Sequence, residues 1–295
     1  MILGLITARG GSIRLPRKNA KIFCGHPLVA WSIMQSRCSR LIDETVLTTD
    51  DDEIAEIGIK YGAKVVRRPV WDNDTTAGVP FAHAIHELEK ENINPDHIVS
   101  MLPTSPLKKV DDLDNMIKSF LFINSLLVNK EPEMATMSPD RECFIFKNVE
   151  DMTTNYNVPY HVIRKIADKS WNHSKICGGW GIAKKDYLMR IWENQPKFDS
   201  TIDANLDSII FDGRKEILAY SVEPWQCFET DYDYYFRVCE MLMEEFILKG
   251  RGMEVYTRYA REFRKIVEIN ENNSLPLFGN SKQLLDKKIM EGFDL

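Results

Sequence analysis

Strand-like and helix-like segments alternate three times within about the first 125 residues, and that order constrains the fold more than any other feature of the chain. Met1 to Thr7 is a nearly continuous apolar run, too short for a helix and closed by Arg9-Gly10-Gly11. Such a run reads as a strand buried on both faces, as in a parallel sheet. Leu28 to Cys38 reads as a helix with Pro27 suited to its first turn, and Glu44 to Thr49 as the next strand. Asp51, Asp52 and Glu53 place negative charge at the start of a helix through Ile54, Ile57 and Tyr61, which Gly62 stops. Lys64 to Arg67 returns as a strand, Val79 to Glu91 as a helix and His97 to Leu102 as a strand ended by Pro103 and Pro106. Asp111 then opens a helix with Leu113, Ile117 and Phe120 on one side. Right-handed crossovers in this order dictate an α/β fold, an open and mostly parallel sheet covered by helices. Ligands of such sheets bind at the carboxyl ends of the strands. The informative residues are therefore Arg9 to Lys18, Asp50, and Pro103 to Lys108.

The remainder is less regular. Residues 131–174 are polar and rich in Asn, Pro and His, with one expected strand at Cys143 to Lys147, and read as an insertion that covers an acceptor or makes a subunit contact. Gly179 to Ala183 and Ile217 to Val222 read as strands, Phe236 to Leu248 as a helix ended by Gly250, and Met253 to Val267 as a last amphipathic helix. The expected organisation is one domain over residues 1–250 followed by a helical extension over 251–295. With 44% hydrophobic and 28% charged residues, the 295-residue chain has enough apolar content for a core. Its net charge of −6 argues against nucleic acid or an anionic membrane as a whole-surface partner. The longest apolar stretch, Phe120 to Val128, is interrupted by Asn124 and Ser125 and falls short of the roughly 20 residues that span a bilayer. No basic leader precedes the first apolar run, and the six cysteines are scattered with no CxxC pair, so a cytoplasmic location with reduced thiols is expected.

The segment from Ala8 to Asn19, ARGGSIRLPRKN, carries the most chemistry. Gly10 and Gly11, directly after a buried strand, let backbone N–H groups approach an anion without interference from Cβ. Arg9, Arg14, Arg17 and Lys18 add four cations within ten positions. Amide donors and guanidinium forks are what a triphosphate needs. The spacing is neither that of a P-loop nor that of a dinucleotide fingerprint. A solvated basic loop is the plainer alternative, and the loop's place at a strand end weighs against it.

Further motifs continue the series: Thr48-Thr49-Asp50 with Glu53-Ile54-Ala55-Glu56, Asp74-Thr75-Thr76, and Pro103-Thr104-Ser105-Pro106-Leu107-Lys108. Together with the opening loop they resemble the CMP-sialic acid synthetase (acylneuraminate cytidylyltransferase) family over about residues 1–125, and the likeness reappears at Glu229 to Glu240. The resemblance implies a Rossmann-like three-layer α/β/α fold with a mostly parallel mixed sheet. It implies an enzyme that uses CTP and Mg²⁺ to attach CMP to an acidic sugar with release of pyrophosphate, working as a cytoplasmic homodimer. Arg9 and Lys18 would be the catalytic cations. Ala8, Arg9, Gly10, Gly11, Ser12, Arg14, Lys18, Asp74, Thr75, Pro103, Thr104 and Ser105 would bind the nucleotide. Glu229 and Asp231 would hold the metal; one residue apart on an extended segment, their side chains share a face. The plainer reading has Asp231 capping the next helix and Glu229 solvated. Asp50 is expected to cap the Asp51 helix.

The pattern departs from the family at three places. Ile13 stands where a lysine is usual, Leu102 where a glutamine precedes PTSP, and Ile176-Cys177-Gly178-Gly179 where an Arg-Pro-Asn-Gly stretch holds the acidic sugar. The acceptor is therefore left open. Lys108, Arg141, Arg164, Lys165 or Lys175 would supply its cation, and a phosphonate or other small acid phosphate is the alternative to a nonulosonic or ulosonic sugar acid. A non-catalytic nucleotide-binding relative is the alternative of a different class. His83 and His86 lack a third ligand at suitable spacing and read as part of a helix face.

Overall fold

The computed structural model describes residues 1–71, 78–126, 133–139, 174–193 and 217–256. Strands β1 (Ile2–Thr7), β4 (Glu44–Thr49), β5 (Lys64–Arg67) and β6 (His97–Met101) run parallel, with short strands β2 (Ile22–Phe23) and β3 (His26–Pro27) forming a separate antiparallel pair. Between them lie α1 (Leu28–Arg37), α2 (Asp52–Lys60) and α3 (Gly78–Lys90); α4 (Asp112–Leu126) follows β6. The later elements are β7 (Glu133–Pro139), β8 (Ser174–Lys184), α5 (Lys185–Glu193), β9 (Ile217–Ser221) and α6 (Asp233–Leu242). The main sheet has the order β5-β4-β1-β6-β8-β7-β9. It is mixed because β8 runs antiparallel to both β6 and β7, while β7 and β9 are parallel.

Alternation along the strands sorts side chains between the two faces. Leu3, Leu5, Val46 and Ile98 pack with Phe81, Ile85 and Leu88 of α3 and Tyr187 and Leu188 of α5. Ile6, Leu47, Val99 and Met101 pack on the other face with Trp31 of α1, Ile54 of α2, Ile117 and Phe120 of α4, and Phe236 of α6. Each fully buried Leu or Ile contributes on the order of 1.5–3 kcal/mol. This is the three-layer α/β/α arrangement expected from the sequence.

Three boundaries differ from expectation. Residues 133–139, placed at the start of an insertion, form an interior strand paired on both edges, with Glu133 opposite Ala183 of β8 and Ile217 of β9. Strand β8 begins at Ser174 rather than Gly179 because β7 pairs with its first residues. The expected extension also starts inside the core: a 3₁₀ turn over Gly252–Tyr256 buries Met253, Val255 and Tyr256 in the same cluster as Trp31. The expected Phe236–Leu248 helix is α6 continued as a π-helix over Met243–Leu248, ending with Lys249 and Gly250 at positive φ. The expected strand at Cys143–Lys147 and residues 257–267 of the last helix lie outside the described residues. Cys24, Cys38 and Cys239 are free thiols as expected, whereas Cys227 is in a disulfide.

Candidate active site

The carboxyl ends of β1, β4, β5 and β6 share one edge of the sheet, so the loops that follow them are neighbours. The loop after β1 is anchored by Leu15, which is buried in the core with Phe23 and Leu28. Lys18 and Asn19 are also buried, and the Asn19 amide donates to the Arg9 carbonyl (2.9 Å), closing the loop on itself. The Gly10 N–H donates to Asp50 Oδ1 (2.9 Å). Asp51 lies so close to Gly10 that a Cβ there would come within 2.9 Å of the aspartate Cγ. Only glycine fits between them. Arg9, Gly10, Gly11, Arg17, Asp50, Asp51, Val70 and Trp71 line an open cavity of about 520 Å³ at this edge.

Two expectations about aspartates change here. Asp51, not Asp50, caps α2 by accepting from the Ile54 N–H (3.0 Å). Asp50 instead spends one oxygen on the Gly10 amide and approaches Arg68 at 3.8 Å. The Gly10 amide, expected to face phosphate, is thereby engaged by protein. Arg17 is held by Asp51 and Glu53, and its bonds hold the Asp51 carboxyl below the usual carboxylate range despite partial burial.

Residues 229–231 are far from this loop in sequence but meet it in space. Asp231 receives Lys18 Nζ on Oδ1 (2.5 Å) and Arg14 on Oδ2 (2.6 Å). Burial pushes the Asp231 carboxyl up, but the bonds and charges of Lys18 and Arg14 outweigh it and hold the group below its ordinary value. Asp231 does not cap α6; the N-cap position belongs to Tyr232, with no side-chain bond. Thr230 donates its N–H to the Thr104 carbonyl (2.9 Å), and Ser105 Oγ donates to Glu229 Oε1 (3.3 Å). The first loop, the Pro103–Lys108 turn and the late acidic segment therefore form one cluster. Gly179 of β8 closes it from behind, because a Cβ there would overlap the Ser105 side chain.

Lys108, expected among the acceptor cations, is 0% exposed and donates inward to the Ser105 carbonyl. A side chain with no solvent-facing surface does not reach an acceptor, so that assignment is corrected. Burial lowers its pKa to about 7, against the opposing pull of Asp112 and Glu229. Of the other expected residues, Ala8 is buried with its N–H on the Thr48 carbonyl (3.0 Å), and the Ser12 N–H turns back to the Gly10 carbonyl (3.0 Å). Pro103 and Thr104 sit in the turn after β6. Lys175 is on β8 in register with Ser138. Asp74, Thr75, Arg141, Arg164 and Lys165 lie outside the described residues. Arg68 and Trp71, stacked at 5.1 Å beside the cavity, were not anticipated; the basic pair Arg67-Arg68 at a strand end was the available signal.

Residues 3–136 match the cytidylyltransferase family. The chain is 38% identical over 122 residues to a pseudaminic acid cytidylyltransferase of Campylobacter jejuni, a match covering 40% of this chain and 53% of the relative. It is 30% identical over 137 residues to the CMP-N,N'-diacetyllegionaminic acid synthase of Legionella pneumophila, covering 44% and 58%. The chain thus spans a little over half the length of these curated relatives. A CMP:2-keto-3-deoxy-manno-octonic acid synthetase solved with CTP shares the fold at a TM-score of 0.58 and 14% identity, over 83% of this chain and 98% of that one. The resemblance to cytidylyltransferases read from the sequence and the α/β fold with its mostly parallel, mixed sheet are both supported.

Proposed function

We propose that this chain is a CTP-dependent cytidylyltransferase that transfers CMP to a small acidic acceptor, a nonulosonic or ulosonic sugar acid, and releases pyrophosphate. The relatives named above support the class. The observation that carries the reading onto this chain is the convergence at Asp231: two cations of the glycine-rich loop end on a carboxylate whose neighbours are bonded to the Pro103–Lys108 turn.

In this reading the chain's own residues do mostly positioning and charge compensation, as phosphoryl transfer requires. The cavity beside Gly10, Gly11 and Trp71 takes the nucleotide, with Arg9 on its wall. Arg9 and Lys18 offset charge that grows on the leaving pyrophosphate. An anionic triphosphate competes with Asp231 for Lys18 and Arg14, which frees that carboxylate for a cation. Glu229 and Asp231 suit Mg²⁺: they are hard oxygen donors, Asp231 stays ionised, and Mg²⁺ needs one or two carboxylates besides phosphate and water. When bound, Mg²⁺ would neutralise phosphate charge as a Lewis acid. A cytoplasmic homodimer belongs to the same reading. Among the described residues no helix is long and apolar enough to cross a membrane.

The test is pyrophosphate release on mixing the protein with CTP, Mg²⁺ and a panel of sugar acids that also contains small phosphonates. Release with a sugar acid and CTP, and not with UTP, GTP or ATP, is the expected result. CTP binding without release for every acceptor would identify a nucleotide-binding relative and overturn the catalytic assignment.

A further inference from the structure

We infer that Lys108 is a positioning residue: from inside the core its amine fixes the Ser105 carbonyl, and the Ser105 hydroxyl in turn aims the Glu229 carboxylate. This rests on the proposed metal role of Glu229. The side chain is fully buried, and its nitrogen donates to Ser105 O, three residues back in the same turn. The Trp180 ring lies 5.7 Å from that nitrogen. The backbone of Lys108 is held as firmly, since the buried Tyr256 hydroxyl donates to its carbonyl and the Gln35 amide donates to that hydroxyl (3.0 Å). Gln35 also donates to the Pro106 carbonyl (2.8 Å), and Gln226 to the Leu107 carbonyl (3.0 Å). Three successive carbonyls of the turn are thus occupied by core side chains.

Burying an amine is costly unless it is bonded, and a leucine or methionine would fill this space without that penalty. What the amine adds is a donor at one point, the Ser105 carbonyl. That point matters because Ser105 has little freedom elsewhere. Gly179 leaves no gap against its Cβ, and its Oγ donates to Glu229 Oε1 at 3.3 Å. Thr230, next to Glu229, is pinned by backbone and hydroxyl to Thr104 of the same turn (2.9 and 3.3 Å). The late acidic segment is therefore indexed to the turn, and the turn is indexed to Lys108. Donation from the nitrogen works in either protonation state, so the role does not depend on titration.

The experiment measures CTP affinity by calorimetry with Mn²⁺ and again in EDTA, taking the ratio as the metal-dependent gain. Lys108→Met and Ser105→Ala are each expected to reduce that gain about tenfold, and Lys108→Met, whose side chain does not face the nucleotide, should change affinity in EDTA less than about twofold. The double variant should lose no more than either single, because both break one chain of contacts. A merely structural role would weaken binding in EDTA as well. Ser105→Ala tests the relay independently should Lys108→Met not fold. Glu229→Gln is the control. If it loses the gain while a folded Lys108→Met and Ser105→Ala keep it, the positioning role is wrong. If the wild type shows no gain, or Glu229→Gln keeps it, the metal assignment fails and the inference falls with it.

Discussion

Replacing Asp231 by asparagine keeps the shape of the side chain and removes the charge that Lys18 and Arg14 share. Lys18 is 8% exposed and bonded at 2.5 Å, so its arm is a shielded, charge-assisted bond of the kind that contributes about 1.5–3 kcal/mol. The Arg14 arm is different: its side chain is 60% exposed, and such pairs contribute about 0–1 kcal/mol. The amide oxygen retains part of the Lys18 bond, which brings the expected loss to about 2 kcal/mol, or a fall of about 4–8 °C in melting temperature. Urea melts of wild type, Asp231→Asn, Lys18→Met and the double variant, without metal or nucleotide, isolate the pair. A coupling of about 1–2 kcal/mol is expected at pH 7. Because the folded Asp231 carboxyl lies below its unfolded value, its contribution is complete above the unfolded pKa of about 3.9 and is lost as pH falls through the lower folded value. The gap between wild type and Asp231→Asn should therefore close in acid. A coupling below about 0.3 kcal/mol, or a gap that stays constant from pH 7 down to strongly acidic conditions, would mean that Lys18 and Asp231 do not stabilise the fold as a charge pair.

Three further outcomes are expected. Arg9→Ala should lower turnover at least about tenfold, on the order of 1.4 kcal/mol, while stability changes by less than about 0.5 kcal/mol, as steady-state assays and melts would show. Gly179→Ala forces a methyl into the Ser105 side chain and should destabilise by about 1–3 kcal/mol in urea melts. Lys108 titrates at about 7 when folded and at about 10.4 when unfolded, so the unfolded chain binds the extra proton between those values. Wild-type stability should rise with pH across that window, and Lys108→Met should remove the rise.

Much of the fold was legible because the amino-terminal strands carry apolar runs of strand length and the helices between them carry breakers. The Glu44–Thr49 and Lys64–Arg67 strands match residue for residue. The segment Glu133–Pro139 was not legible, because β8 and β9 on either side make it an interior strand, and pairing partners are not written in a seven-residue stretch. Likewise nothing in the run Asp50-Asp51-Asp52 says which carboxylate caps the helix; the turn after β4 decides it by pointing Asp51 at Ile54 and Asp50 at Gly10.

The same division holds at the site. Local sequence determined that a glycine-rich, cation-bearing loop follows a buried strand, because strand length, glycine and charge spacing are properties of neighbours in the chain. Tertiary structure alone decided that Arg14 and Lys18 end on Asp231, more than 200 positions away, and that Lys108 faces inward. Contacts of that reach depend on how the sheet is ordered and which side of it each turn falls on, and burial depends on what packs over a residue rather than on the residue itself.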